Sequence, residues 1–132
     1  MIIANIDGGS RGNPGPAGYG VHMARPDGTV VAEFGEAIGV ATNNVAEYRG
    51  LLAALRFAVA HGDADLTVRS DSLLLVCQMR GEYKVKNAGL QALHAEARRL
   101  VAGLRRVRFE HVPREHNTDA DRLANEAMDG KK

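Results

Sequence analysis

The pair Asp27-Gly28, set between the β-like runs YGVHMARP and TVVAEFGEAIG, constrains the fold of this chain more than any other feature. An Asp-Gly dipeptide supplies the backbone of a tight hairpin turn, so the two runs are predicted to pair antiparallel. The apolar run MIIANID precedes them, separated by GGSRGNPGPAG, whose glycines and prolines are predicted to break regular structure from Gly8 onward. Residues 1–7 then form the first of three antiparallel neighbours.

Beyond residue 41 the apolar period changes. Thr42, Asn43 and Asn44 are capping residues, and Val45, Tyr48, Leu52, Leu55 and Val59 follow the three-and-four spacing of one buried helical face, ending at His61-Gly62. ADLTVRSD reads as a short buried strand and LLLVCQM as a helix; Leu90, Leu93, Ala97, Leu100 and Val101 mark another helix. The strand VRFEHV follows, and a last helix runs from about Asn117 to Met128. Three hairpin strands followed by two strands among helices predict an α/β fold, a mixed sheet with helices on its faces. At 132 residues the chain is predicted to form a single domain over 1–129, with Gly130, Lys131 and Lys132 as a frayed tail.

Function classes narrow from the same text. No apolar run approaches the roughly 20 residues of a membrane span, and the first residues lack a basic leader with a small-residue cleavage site, so a cytoplasmic monomer is expected. The single cysteine, Cys77, lies in an apolar run and reads as a small buried hydrophobe. A net charge of +1 is neutral on nucleic-acid binding, because an acidic cluster can cancel basic patches such as Arg98, Arg99, Arg105, Arg106 and Arg108.

Four acids sit at element ends: Asp7 after the first strand, Glu47 in the first turn of the long helix, Asp71 closing LTVRSD, and Asp121 opening the last helix. Each has an ordinary explanation taken alone. Asp7 could cap the glycine-rich turn, Glu47 could close a capping box with Asn44, Asp71 could cap the helix after it, and Asp121 could favour a helix dipole beside Asn117, Asp119 and Asp129 on a surface helix. Gathered at one sheet edge, they would instead form a site for hard divalent cations. Strands one and four must be adjacent for Asp7 and Asp71 to meet, and a crossover through the long helix permits that.

The stretches IDGGSRGNPGPAGYG, TNNVAEYRGLLAAL, RSDSLLLVCQM and VPREHNTDADRLANEA, in that order over nearly the whole chain, resemble type-one ribonuclease H. The resemblance implies a five-stranded mixed sheet of order 3-2-1-4-5 flanked by helices, with Asp7, Glu47, Asp71 and Asp121 as catalytic and metal-binding residues. It implies an endonuclease that hydrolyses the RNA strand of an RNA–DNA hybrid with two Mg2+ ions, Mn2+ being an alternative, and leaves 5′-phosphate and 3′-hydroxyl ends. Asn13, Asn43 and Asn44 match positions that the family uses in the hybrid groove, and Thr42 matches one that grips a DNA-strand phosphate.

Three departures stand out. The segment GEYKVKNAG replaces the basic, tryptophan-containing protrusion of some bacterial members, as in the shorter archaeal and actinobacterial form, leaving Lys84 and Lys86 as phosphate contacts. EHNTDAD puts His116 out of register with the family's mobile histidine, so His116 or Glu115 stands as a proton-transfer helper or a spectator. Leu73 replaces a glutamine that makes a groove contact. Two rival readings remain at this point. An exonuclease of related fold would carry two acids spaced by one residue where this chain has Asp7, Gly8 and Gly9. A non-catalytic module binding hybrid or double-stranded RNA would have no use for four mutually repelling carboxylates.

Overall fold

The computed structural model describes residues 1–130. Its sheet has five strands in the order β3-β2-β1-β4-β5: β1 (Ile2–Ser10), β2 (Gly15–Ala24), β3 (Val30–Ala41), β4 (Asp65–Ser70) and β5 (Arg106–His111). β1 pairs antiparallel with β2 and parallel with β4, β2 pairs antiparallel with β3, and β4 runs parallel to β5. The Asp27-Gly28 hairpin is present, with Gly28 at φ 93 and the Thr29 amide donating to the Asp27 carboxylate. Four helices complete the fold, α1 (Asn43–His61), α2 (Leu73–Met79), α3 (Ala88–Ala102) and α4 (Thr118–Met128), with a 3-10 turn at Arg114–His116 before the last. No described helix is long and apolar enough to cross a membrane.

The glycine-rich segment departs from expectation. Gly8 and Gly9 do not break β1; they extend it, and β2 begins at Gly15 rather than Tyr19. The reason is steric. A Cβ at Gly8 would lie 2.4 Å from the backbone carbon of Ala46, so glycine here admits the α1 backbone against the strand. On α1, Ala46, Gly50, Ala54 and Ala58 repeat every fourth residue and are all buried, which lets the helix lie close to β1 and β2. Leu51, Leu52, Leu55 and Tyr48 fill the space beside that ridge, whereas Val59, expected on the buried face, is 40% exposed. Full burial of each leucine contributes on the order of 1.5–3 kcal/mol.

Helix α4 covers the other face. Side chains alternate along a strand, so Gly18 and Gly20 of β2 share the face on which α4 lies. A Cβ at Gly20 would meet the Ala120 carbonyl at 2.4 Å and the Ala124 nitrogen at 2.5 Å, and one at Gly35 of β3 would meet the Leu123 carbonyl at 2.9 Å. Asn117, read from sequence as part of a surface helix, is buried at the head of α4: its side-chain amide donates to the Ile6 carbonyl at 2.8 Å and its oxygen accepts from Asn5 at 3.0 Å. Polar though it is, the residue stays inside because both ends of its amide are partnered. Cys77 is buried in α2. Of the expected tail, Lys131 and Lys132 lie outside the described residues, while Gly130 is described, with φ 74.

Candidate active site

The parallel register between β1 and β4 ends with Ile6 opposite Ser70, so the next residue on each chain, Asp7 and Asp71, falls at the same edge of the sheet. Beyond that level β1 continues with β2 while β4 stops, and the divergence opens a cleft at the strand ends where α/β sheets bind ligands. Glu47 enters the cleft from α1. It lies in the second turn rather than the first, because the helix starts at Asn43; Thr42, not Asn44, is the cap, its hydroxyl oxygen accepting from the Val45 amide at 3.2 Å. No capping box holds Glu47, which frees its carboxylate for the cleft. Likewise Ser72, not Asp71, caps α2, accepting from the Leu75 amide at 3.2 Å. Asp121 arrives from the first turn of α4, whose backbone is tied to β1 through Asn117.

Asp7, Glu47 and Asp71 each offer an oxygen within 4.8 Å of the other two. With Asp121 they line one cavity of about 650 Å3, shared with Gly8, Arg11, Asn43, His111, Arg114 and Asn125. All four sequence-predicted acids therefore meet. Burial first, and then the charges of Asp71 and Asp121, push the Asp7 carboxyl up to about 8, against a partial offset from the Gly8 amide, which donates to it at 3.0 Å. Glu47 is raised well above the ordinary range by burial and then by Asp7 and Asp71. Asp71 is raised by burial, with Arg114 pulling the other way. One oxygen of Glu47, Oε2, is shut off from solvent with no hydrogen-bond partner. A buried acceptor without a donor costs about 1–3 kcal/mol, and oxygens in this number and spacing suit a hard divalent cation. The residues thus fit a metal centre.

The expected groove contacts cluster at the start of α1. The Asn13 side-chain oxygen accepts from the Asn43 amide at 3.0 Å, and Asn43 lines the cavity. Because the Thr42 oxygen is used as the cap, its hydroxyl proton remains available to an incoming acceptor. Asn44 is exposed one residue further on. Lys84 and Lys86 are exposed between α2 and α3 and do not line the cavity, and neither does His116, exposed in the 3-10 turn. Sequence reasoning missed His111 and Arg114. His111 sits at the end of β5 with a ring nitrogen 3.2 Å from the Asp71 carbonyl, and Arg114 follows three residues later. A signal existed: His111 closes β5 and Arg114 follows it, as Asp71 follows β4, at the strand ends where such sheets carry function.

Comparison with known proteins gives consistent results. Residues 5–127 match the family described as reverse transcriptase-like. A bifunctional protein of Mycobacterium tuberculosis is 54% identical over 129 residues, 97% of this chain and 35% of its own length. A ribonuclease HI of Halobacterium salinarum is 46% identical over 97% of this chain and 64% of its own length. The chain thus spans about a third and somewhat under two thirds of these curated relatives. The crystal structure of LC11-RNase H1 in complex with an RNA/DNA hybrid superimposes with a TM-score of 0.94 at 43% identity, covering 98% of each chain.

Proposed function

This chain belongs to the ribonuclease H family, and on that premise we propose that residues 1–129 form one catalytic domain that hydrolyses the RNA strand of RNA–DNA hybrids as an endonuclease. The observation that carries the proposal is the convergence of Asp7, Glu47 and Asp71 within 4.8 Å, with Glu47 Oε2 buried and unpartnered. A pure binding module would be destabilised by such a cluster and gain nothing from it. The hybrid bound by the LC11 relative supports the same substrate for this chain.

Asp7, Glu47 and Asp71 would hold one Mg2+, and Asp7 with Asp121 a second. When bound, such a pair supplies Lewis acidity at the attacking and departing oxygens of an in-line displacement, giving 5′-phosphate and 3′-hydroxyl products. The remaining work falls to the chain's own groups. Asn43 lines the cavity with Asn13 bonded to its amide, and with Thr42 and Asn44 beside it these amides and hydroxyl would meet the shallow groove of a hybrid and its 2′-hydroxyls. Arg11 is held across the cavity by Asp129 at 2.9 Å and Asn125 at 3.2 Å, ready for a backbone phosphate. Arg114 places positive charge beside Asp71 and the scissile position. His116, outside the cavity, is left as a spectator, and Lys84 and Lys86 would touch phosphates beyond the cleft.

The test is a labelled hybrid incubated with and without Mg2+, beside an Asp71→Asn variant. Internal cleavage of the RNA strand by the wild type alone, and only with metal, is the expected result. Binding without cleavage would favour the non-catalytic module, and stepwise loss of terminal nucleotides would favour an exonuclease.

A further inference from the structure

A second constellation lies on the α4 face, away from the cleft. His22 on β2 stands directly opposite Glu33 on β3 in the strand register, and the His22 Nε2 is 3.4 Å from a Glu33 carboxylate oxygen. The same nitrogen is 3.8 Å from an oxygen of Asp119 in the first turn of α4. One ligand atom from each of the three lies within 4.8 Å of the others. His22 follows Gly18 and Gly20 along β2, so it stands where the close approach of α4 ends and a side chain first has room.

The geometry points to a binding site for a borderline divalent transition ion of the zinc class at His22, Glu33 and Asp119, independent of the catalytic carboxylates. Bonds of about 2.0–2.1 Å to nitrogen and oxygen in tetrahedral zinc sites require ligand atoms about 3.3 Å apart. The His22–Glu33 separation already meets that figure, and exposed Asp119 supplies the remaining adjustment. The ligands come from three elements fixed by sheet pairing and helix packing, which holds two of them together before any ion arrives. An imidazole with two carboxylates favours zinc-like ions over Mg2+, which takes oxygen ligands.

Charge favours the same occupant. Glu33, Asp119 and Glu126 share the guanidinium of Arg122, at 3.3, 3.6 and 3.2 Å, so three carboxylates face one cation. A divalent ion would neutralise the excess. Arg122 is half-exposed and keeps Glu126 as a partner, so it can yield Glu33 and Asp119 to an ion without being left unpaired, although its charge competes with the ion for them. Asp119 and Asp121 are two residues apart on a helix and so point about 200° apart. One ion cannot serve both clusters, yet an ion at Asp119 would pin the turn of α4 that carries Asp121.

The experiment titrates Co2+, a spectroscopic stand-in for zinc, into the full chain with Mg2+ in large excess to occupy the cleft. We expect one equivalent to bind with visible d–d absorption, equally in Asp71→Asn. His22→Gln and Glu33→Gln should weaken binding by roughly tenfold or more, while Arg122→Gln, which removes the competing cation, should tighten it. Thermal melts in chelator confirm that each variant is folded. Absence of Co2+ binding under excess Mg2+, affinity unmoved by His22→Gln, loss in Asp71→Asn, or no gain in Arg122→Gln would each overturn the proposal.

Discussion

Replacing Gly8 with alanine tests how the cleft is built. The new Cβ would lie 2.4 Å from the Ala46 carbonyl carbon and 2.5 Å from both the Ala46 oxygen and the Glu47 nitrogen, all backbone atoms of α1. Ordinary contact begins near 3.4 Å, so the helix must withdraw by about 1 Å. No side chain can absorb that shift. Overpacking of this kind costs about 1–3 kcal/mol, which for a chain of this size lowers Tm on the order of 5–10 °C. The larger effect falls on Glu47, whose own backbone is the obstacle: in the catalytic role proposed for it, a displacement of 1 Å costs about a hundredfold in rate. Gly9→Ala is the control, because its Cβ would meet only the flexible end of Met128 at 3.4 Å. Thermal denaturation and single-turnover hybrid cleavage, run on both variants, give the comparison. If Gly8→Ala kept the Tm of Gly9→Ala and cleaved within threefold of wild type, the steric account of Glu47 placement would be wrong.

Other outcomes are expected from the site's electrostatics and anchoring. Asp7, Glu47 and Asp71 all have folded-state values above their unfolded ones, so their contribution to stability is full below about pH 4 and is lost as pH rises, for Asp7 through about 8. In chelator, the denaturation midpoint should therefore fall with pH more steeply than in Asp7→Asn, and Mg2+ should restore it most at the alkaline end; a flat profile would refute this. Asn117→Ala removes the acceptor for the Asn5 amide and the donor to the Ile6 carbonyl and should cost about 1–3 kcal/mol, with a rise in the Mg2+ concentration needed for cleavage as Asp121 loosens; urea titration and a metal titration read the two effects. Arg114→Ala should slow cleavage about tenfold and His116→Ala by no more than twofold, since Arg114 lines the cavity and His116 does not. Steady-state kinetics separates them, and the reverse order would restore the histidine as the proton helper.

Much of this architecture is legible in the residues. The Asp-Gly hairpin pairs two of the strands, helical spacing marks α1 and α3, and the order of short motifs carries the resemblance that singles out the four acids. What escaped was long-range. Gly8, Gly9 and the start of β2 read as turn because glycine is a local signal for loops, whereas here it marks contact with α1 and α4. Asn117 read as surface because its partners, Asn5 and Ile6, lie more than a hundred residues away. His111 and Arg114 carry no motif of their own, and only their place at and just beyond the end of β5 brings them to the cavity. The His22, Glu33 and Asp119 group joins three segments remote in sequence except for the β2–β3 register.

The glycines at 20 and 35 let α4 settle almost backbone to backbone on the sheet. A seat made by missing atoms leaves the rider no room to slide or roll, so the carboxylate at 121 is aimed by a void as well as by the Asn117 tie at the head of the helix. A single methyl slipped underneath that helix would unseat it.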